Sequence, residues 1–87
     1  LHPHQVREAL EGVAGLARYQ AAVGRHEHRD ELVLRLELAA GADPPDLESL
    51  QARLQSLWRV RVDRVEVLSP GSLPEDARVL VDERSWE

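Results

Sequence analysis

Leu32, Leu34, Leu36 and Leu38 alternate with Glu31, Val33, Arg35 and Glu37. A period of two places the leucines on one side of an extended chain, whereas a helix would scatter them around its circumference, so the spacing predicts a strand with one apolar face. Leucine is only a fair strand former, but strict alternation outweighs that propensity. Upstream, residues 17–25 predict a first strand in which Tyr19, Ala21 and Val23 share a face. The polar Glu27-His28-Arg29-Asp30 between the two suits a hairpin turn.

Elsewhere the period lengthens. Leu47, Leu50, Leu54 and Leu57 recur at i, i+3, i+7 and i+10 behind Gly41-Ala42-Asp43-Pro44-Pro45. This predicts a helix over 45–58 with a buried leucine stripe, and with Glu48, Gln51, Arg53 and Gln55 toward water. Val6, Leu10 and Val13 form a second stripe, in a helix opened by Pro3 and ended by Gly12 and Gly15. Residues 61–68 predict a strand with Val65 and Val67 on one face and a register irregularity near Asp63 and Arg64. Beyond the loop Ser69-Pro70-Gly71-Ser72-Leu73-Pro74, residues 78–81 predict a short last strand.

The order helix, strand, strand, helix, strand, short strand shows no internal repeat and no linker. The simplest arrangement that buries every leucine face is one α+β domain over residues 1–87, with two helices packed on one face of a three- to four-stranded, mainly antiparallel sheet. The opposite face, carrying Val33, Arg35 and Glu37, is expected to stay half-polar and to dock reversibly against something else.

Composition narrows the function. A chain of 87 residues buries only about 60–65% of its unfolded surface, enough for one modest core but not for a deep catalytic cavity. The balance of 43% hydrophobic and 31% charged residues argues against disorder. With no cysteine, disulfides and thiolate metal sites are excluded. No apolar run approaches the roughly 20 residues that span a bilayer, so a soluble, cytoplasmic protein without membrane contact is expected. A net charge of −5 disfavours general nucleic-acid binding, which draws its free energy from clustered cations. Every cation is arginine and none is lysine, and arginine cannot act as a titratable acid or base near neutral pH.

Candidate chemistry is sparse. His26 and His28, two apart at a strand end, could hold a metal with His2 or His4, but a solvated hairpin tip accounts for Arg25-His26-Glu27-His28-Arg29, so no metal site is expected. Tyr19 fits a half-buried sheet residue with its hydroxyl at the rim. Trp58 fits a cover over the helix end, and Trp86 lies in the tail. No Ser/His/Asp grouping follows from spacing, and no catalytic residue is assigned.

In order, these segments resemble the carboxy-terminal domain of phenylacetate-CoA ligases and related aryl-acid CoA ligases of the adenylate-forming superfamily. Leu1-His2-Pro3-His4-Gln5-Val6-Arg7-Glu8 is similar to the helix start of that family, Tyr19-Gln20 to its first-strand pair, and Asp30-Glu31-Leu32-Val33-Leu34-Arg35-Leu36-Glu37 to its hairpin. Pro70-Gly71-Ser72-Leu73-Pro74 and the Asp-x-Arg end at Asp82-Glu83-Arg84 complete the match. The resemblance implies a mobile lid on a larger amino-terminal ATP-binding domain, one that assists adenylation of the acid and then rotates to present a surface for thioester formation. It implies ATP, Mg and CoA for the full ligase, a place in phenylacetate catabolism, and no cofactor on the chain alone.

The departures matter as much. The family loop carries Gly-Lys-Ala, whose lysine stabilises the charge gathering between carboxylate and α-phosphate. Anchored from Asp82 and Arg84, Ala77 falls on that alanine, Asp76 on the lysine and Glu75 on the glycine, in a loop shorter than the family's. An acid there would repel both reacting groups; Arg78 is only a weak substitute. The chain also begins inside the family pattern, without the basic-glycine stretch and hinge, as an excised piece or a stand-alone relic would. The expectation is therefore a degenerate lid, partnered by an amino-terminal domain and inactive alone. The alternative is a non-enzymatic ACT-like or ferredoxin-like regulatory module that pairs through sheet edges into a homodimer and binds a small effector.

Overall fold

A computed structural model describes residues 1–84. Trp86, assigned to the tail, lies outside the described residues. The elements run α1 (Pro3–Glu11), β1 (Leu16–His26), β2 (Arg29–Leu38), α2 (Leu47–Trp58), β3 (Arg64–Leu68) and β4 (Leu80–Asp82). The α+β order and the two helices above one sheet are as the periodicities predict.

The helices have readable ends. Pro3 opens α1, and the His2 N–H donates to Gln5 Oε1 at 2.7 Å, occupying a donor that would otherwise lack a helical partner. Asp46 caps α2 by accepting from the Ser49 N–H at 3.3 Å, so the helix starts at Leu47 rather than at Pro45. The Ser49 backbone hydrogen bond lowers the Asp46 pKa from its ordinary value.

The sheet order is β3-β2-β1-β4. β1 and β2 form an antiparallel hairpin, with Ala21 opposite Leu34 and Tyr19 opposite Leu36. β3 lies parallel to β2, and β4 parallel to β1, which makes the sheet mixed rather than purely antiparallel. The physical reason is that α2 is a crossover: it returns the chain to the end where β2 began, so β3 must run the same way. The irregularity expected near Asp63 is absent from the β2–β3 register, which is continuous from Val33/Arg64 to Glu37/Leu68, and the shift lies in β1 between Leu16 and Arg18. Asp63 instead extends the ladder by one step, its N–H donating to Leu32 O at 2.9 Å while its Oδ2 accepts from the Leu32 N–H at 2.8 Å.

Val6, Ala9 and Leu10 of α1 meet Leu50, Leu54 and Trp58 of α2 over Ala21, Leu32, Leu34 and Leu36, with Val62 closing the core. The Trp58 indole N–H donates to Gln5 O at 3.2 Å and ties the two helices. Leu57, expected in the buried stripe, is 61% exposed. Trp58, one residue on, takes the inward position because its ring spans from α2 to α1. Gln51 and Gln55, expected to face water, are half-buried and hold both backbone groups of Val62, at 2.6 and 3.0 Å.

Candidate functional site

The face of the sheet away from the helices carries Arg18, Gln20, Arg35 and Glu37, and it is not the open, half-polar surface that alternation suggests. Gln20 is 8% exposed and Glu37 only 2%; these are the buried polar side chains among the described residues. The β3–β4 connection covers them. It leaves one edge of the sheet and must reach the other, so it crosses β2 and β1.

Two tight turns shape that crossing. Ser72 donates its N–H at 3.1 Å and its hydroxyl at 2.6 Å to Ser69 O, with Gly71 at φ 83, a left-handed conformation that glycine adopts without steric cost. The Ala77 N–H then donates to Pro74 O at 3.0 Å, so Glu75 and Asp76 form the tip of a second turn. Between the turns Leu73 is buried. Its N–H donates to Glu37 Oε1 at 2.7 Å, and its carbonyl accepts from Arg18 Nη1 at 3.0 Å. Burying a carboxylate costs several kcal/mol unless hydrogen bonds and an opposite charge offset it; the Leu73 N–H and the Arg18 guanidinium, 4.0 Å from Glu37 Oε2, supply both.

On the far side of the tip, Gln20 Nε2 donates to Arg78 O at 3.0 Å. Gln20 Oε1 accepts from Arg35 Nη1 at 2.8 Å, and this bond fixes which way the amide points. Arg35 also grips Glu83 through two bonds, at 2.9 and 3.1 Å, and lies 3.7 Å from Glu66. The Glu83 hydrogen bonds raise the Arg35 pKa, and the same bonds lower that of Glu83. The Asp-x-Arg end folds on itself: Arg84 clasps Asp82 at 2.6 and 2.9 Å and reaches Asp30 at 3.0 Å. Arg84 thereby holds the Asp82 pKa at about 2, while its own is raised by the bond to Asp82.

The positions singled out by sequence are spread apart. Asp76 is exposed at the tip, and Glu75 is exposed with Arg18 3.9 Å away. Glu75 and Ala77 border a shallow groove with Arg18 and Tyr19. The exposed Arg78 side chain instead lines a different groove, with Leu1, Val23, Leu80 and Arg84. Tyr19 is half-buried against the core. His4 pairs with Glu8 at 3.0 Å, and His28 is exposed at φ 66 in the hairpin turn. The His26 side chain is outside the described residues. Among the described residues no three potential ligands converge on a metal position, and no helix is long and apolar enough to cross a membrane.

Sequence reasoning missed Arg18, Gln20 and Glu37 as holders of the loop. A polar residue on the non-leucine face of a strand reads as solvated, and nothing local reveals that a distant loop will cover it. The one signal was positional, since Gln20 and Glu37 both fall within segments that carry the family resemblance.

Comparison with known proteins agrees with the fold. No curated protein matches. A domain of phenylacetate-coenzyme A ligase from Bacteroides vulgatus superposes with a TM-score of 0.74 at 22% identity, covering 100% of this chain and 88% of that one, a likeness of fold. The 2-hydroxyisobutyryl-CoA ligase, in complex with 2-HIB-AMP and CoA in the thioesterification state, matches with a TM-score of 0.72 at 28% identity. That match covers 97% of this chain but 20% of the ligase, so the chain spans about a fifth of that protein. The same ligase in its postadenylation state gives a TM-score of 0.68 at 26% identity, over 95% of this chain and 20% of that one. The family model for the AMP-binding enzyme C-terminal domain matches residues 1–84, and the chain belongs to that family.

Proposed function

We propose that this chain is the lid of an AMP-forming acyl-CoA ligase and acts only with a larger amino-terminal domain that binds ATP, Mg and the acid. The overall reaction has two steps. The acid's carboxylate oxygen attacks the α-phosphorus of ATP and expels pyrophosphate; the sulfur of CoA then attacks the acyl carbonyl and expels AMP. The observation that carries the reading is the family match over residues 1–84; the exposure of Asp76 at the loop tip, the residue that the resemblance aligns with the family lysine, supports it.

In this reading the lid is degenerate for the first step. Asp76 brings negative charge to a place where negative charge gathers in the transition state, and repulsion there raises the barrier. Arg78 opens on another groove, which supports leaving it out of that role. The second step uses a different face of the lid and does not need the lysine. Aryl acids of the phenylacetate type are the proposed substrates, and the cytoplasm the proposed location.

The test is a graft of this chain onto an active amino-terminal domain of the family. The graft is expected to convert a supplied acyl-adenylate and CoA to thioester, and to adenylate slowly. Restoring Gly-Lys-Ala and the loop length, with lysine in place of Asp76, is expected to raise adenylation by a factor on the order of 10²–10³, the usual worth of one preorganised charge-stabilising group. An unrepaired graft that adenylates as fast as its parent ligase overturns the degenerate-lid reading. The chain alone is expected to release no pyrophosphate from ATP with phenylacetate and CoA, and release above background would refute its dependence on a partner domain.

A further inference from the structure

We infer that Gln20 and Glu37 are positioning residues that hold the β3–β4 loop as a rigid stage for residue 76. The inference deepens the lid reading and rests on it for the purpose of the stage, while the stage itself rests on geometry alone.

Gln20 and Glu37 are the buried polar side chains among the described residues, and each spends a hydrogen bond on the backbone of the same loop. Glu37 takes the Leu73 N–H at 2.7 Å, and Gln20 gives to Arg78 O at 3.0 Å. Those two anchors bracket the tip, with Leu73 just before the Pro74 to Ala77 turn and Arg78 just after it. The turn closes the short span between them through the Ala77 N–H to Pro74 O bond at 3.0 Å. With both ends pinned and the middle cross-linked, the backbone of Asp76 has little freedom although its side chain is exposed.

Stability alone does not account for these choices. A buried carboxylate is a costly way to hold a surface loop, and apolar residues of similar volume often serve a fold as well or better. Direction is what a carboxylate and an amide add, since each fixes one atom of the loop relative to the sheet. Both anchors grip backbone groups, so the stage is independent of the side chain at its tip. Replacing the tip residue therefore changes the charge presented without moving the place where it is presented.

Backbone NMR of the ¹⁵N-labelled chain tests this, using Glu37→Gln, Glu37→Leu and Gln20→Leu. The native amide order parameter at Asp76 is expected near about 0.85, the value of rigid backbone. Glu37→Leu and Gln20→Leu are each expected to drop it below about 0.6, the flexible range, and to speed exchange of the Ala77 amide on the order of tenfold or more. Amides of the β1–β2 ladder such as Ala22 and Val33, which pair across it, should keep their protection. Glu37→Gln, whose amide oxygen still accepts from Leu73, is expected to preserve the native value. The inference is overturned if Asp76 is already flexible in the native chain, if it stays rigid in both leucine variants, or if the ladder loosens together with the loop. Gln20→Leu decides the matter should Glu37→Leu fail to fold. Because the measurement needs no ligase partner, its failure leaves the lid reading to the graft, and failure of the graft leaves the stage intact.

Discussion

The two faces of the sheet are held by different physics. Under the helices, Leu32, Leu34, Leu36, Leu50 and Leu54 share one apolar cluster, where attraction scales with area and does not depend on direction. On the other face Arg18, Gln20, Arg35 and Glu37 make a few hydrogen bonds, each to one named atom of the loop or the chain end. The first face holds the main apolar cluster. The second ties one loop to the sheet.

The sharpest challenge to that division is a cavity on the apolar side. Leu54→Ala removes a fully buried side chain and is expected to cost about 2–4 kcal/mol in a denaturant titration. A loss under about 1 kcal/mol would mean that α2 is not packed as described.

Arg35→Leu strikes the polar side. Its guanidinium is partly exposed, and solvent screening limits the worth of its bonds to Glu83 and Gln20, so a cost of about 1 kcal/mol is expected. The pKa of Glu83 should rise back toward its ordinary value, readable from its carboxyl carbon shift against pH. A cost equal to that of Leu54→Ala would place the stability of the fold on the wrong face.

Acid separates the faces without mutation. Asp82 is held near 2 against an ordinary 3.8 by Arg84, and Glu83 is held below 4.5 by Arg35. Folded-state values below the unfolded ones give a contribution that is complete above about pH 4.5 and is lost as pH falls toward 2. Ala21 and Glu83 amide signals, whose N–H groups donate to Val79 O and Val23 O across the edge between β1 and β4, should therefore shift over that window while far-ultraviolet helix signal persists. Simultaneous loss of both would show that the faces are not separable.

Leu57→Ala is the smallest expected effect. With 61% of the residue exposed, the change should stay within about 0.5 kcal/mol, and a larger cost would mark Leu57 as part of the core after all.

Much of this molecule is local information. The leucine alternation fixed β2, and with it the apolar face; the spacing of Leu47, Leu50 and Leu54 fixed α2; Pro3 marked the start of α1 by chemistry that acts within one turn, whereas the cap of α2 fell on Asp46, just past the expected start at Pro45. The Pro-Gly-Ser-Leu-Pro loop and its unusual Asp76 were also visible, because residue identity needs no fold. Strand order was not. Whether β3 joins β2 in parallel and β4 joins β1 at the far edge depends on where the crossovers lead, which no residue encodes by itself. That Leu57 stays exposed while Trp58 is buried against α1 depends on what α1 offers across the gap. The burial of Gln20 and Glu37 followed from the route of a loop tens of residues away, since solvent exposure is a property of the assembled surface and not of the side chain that bears it.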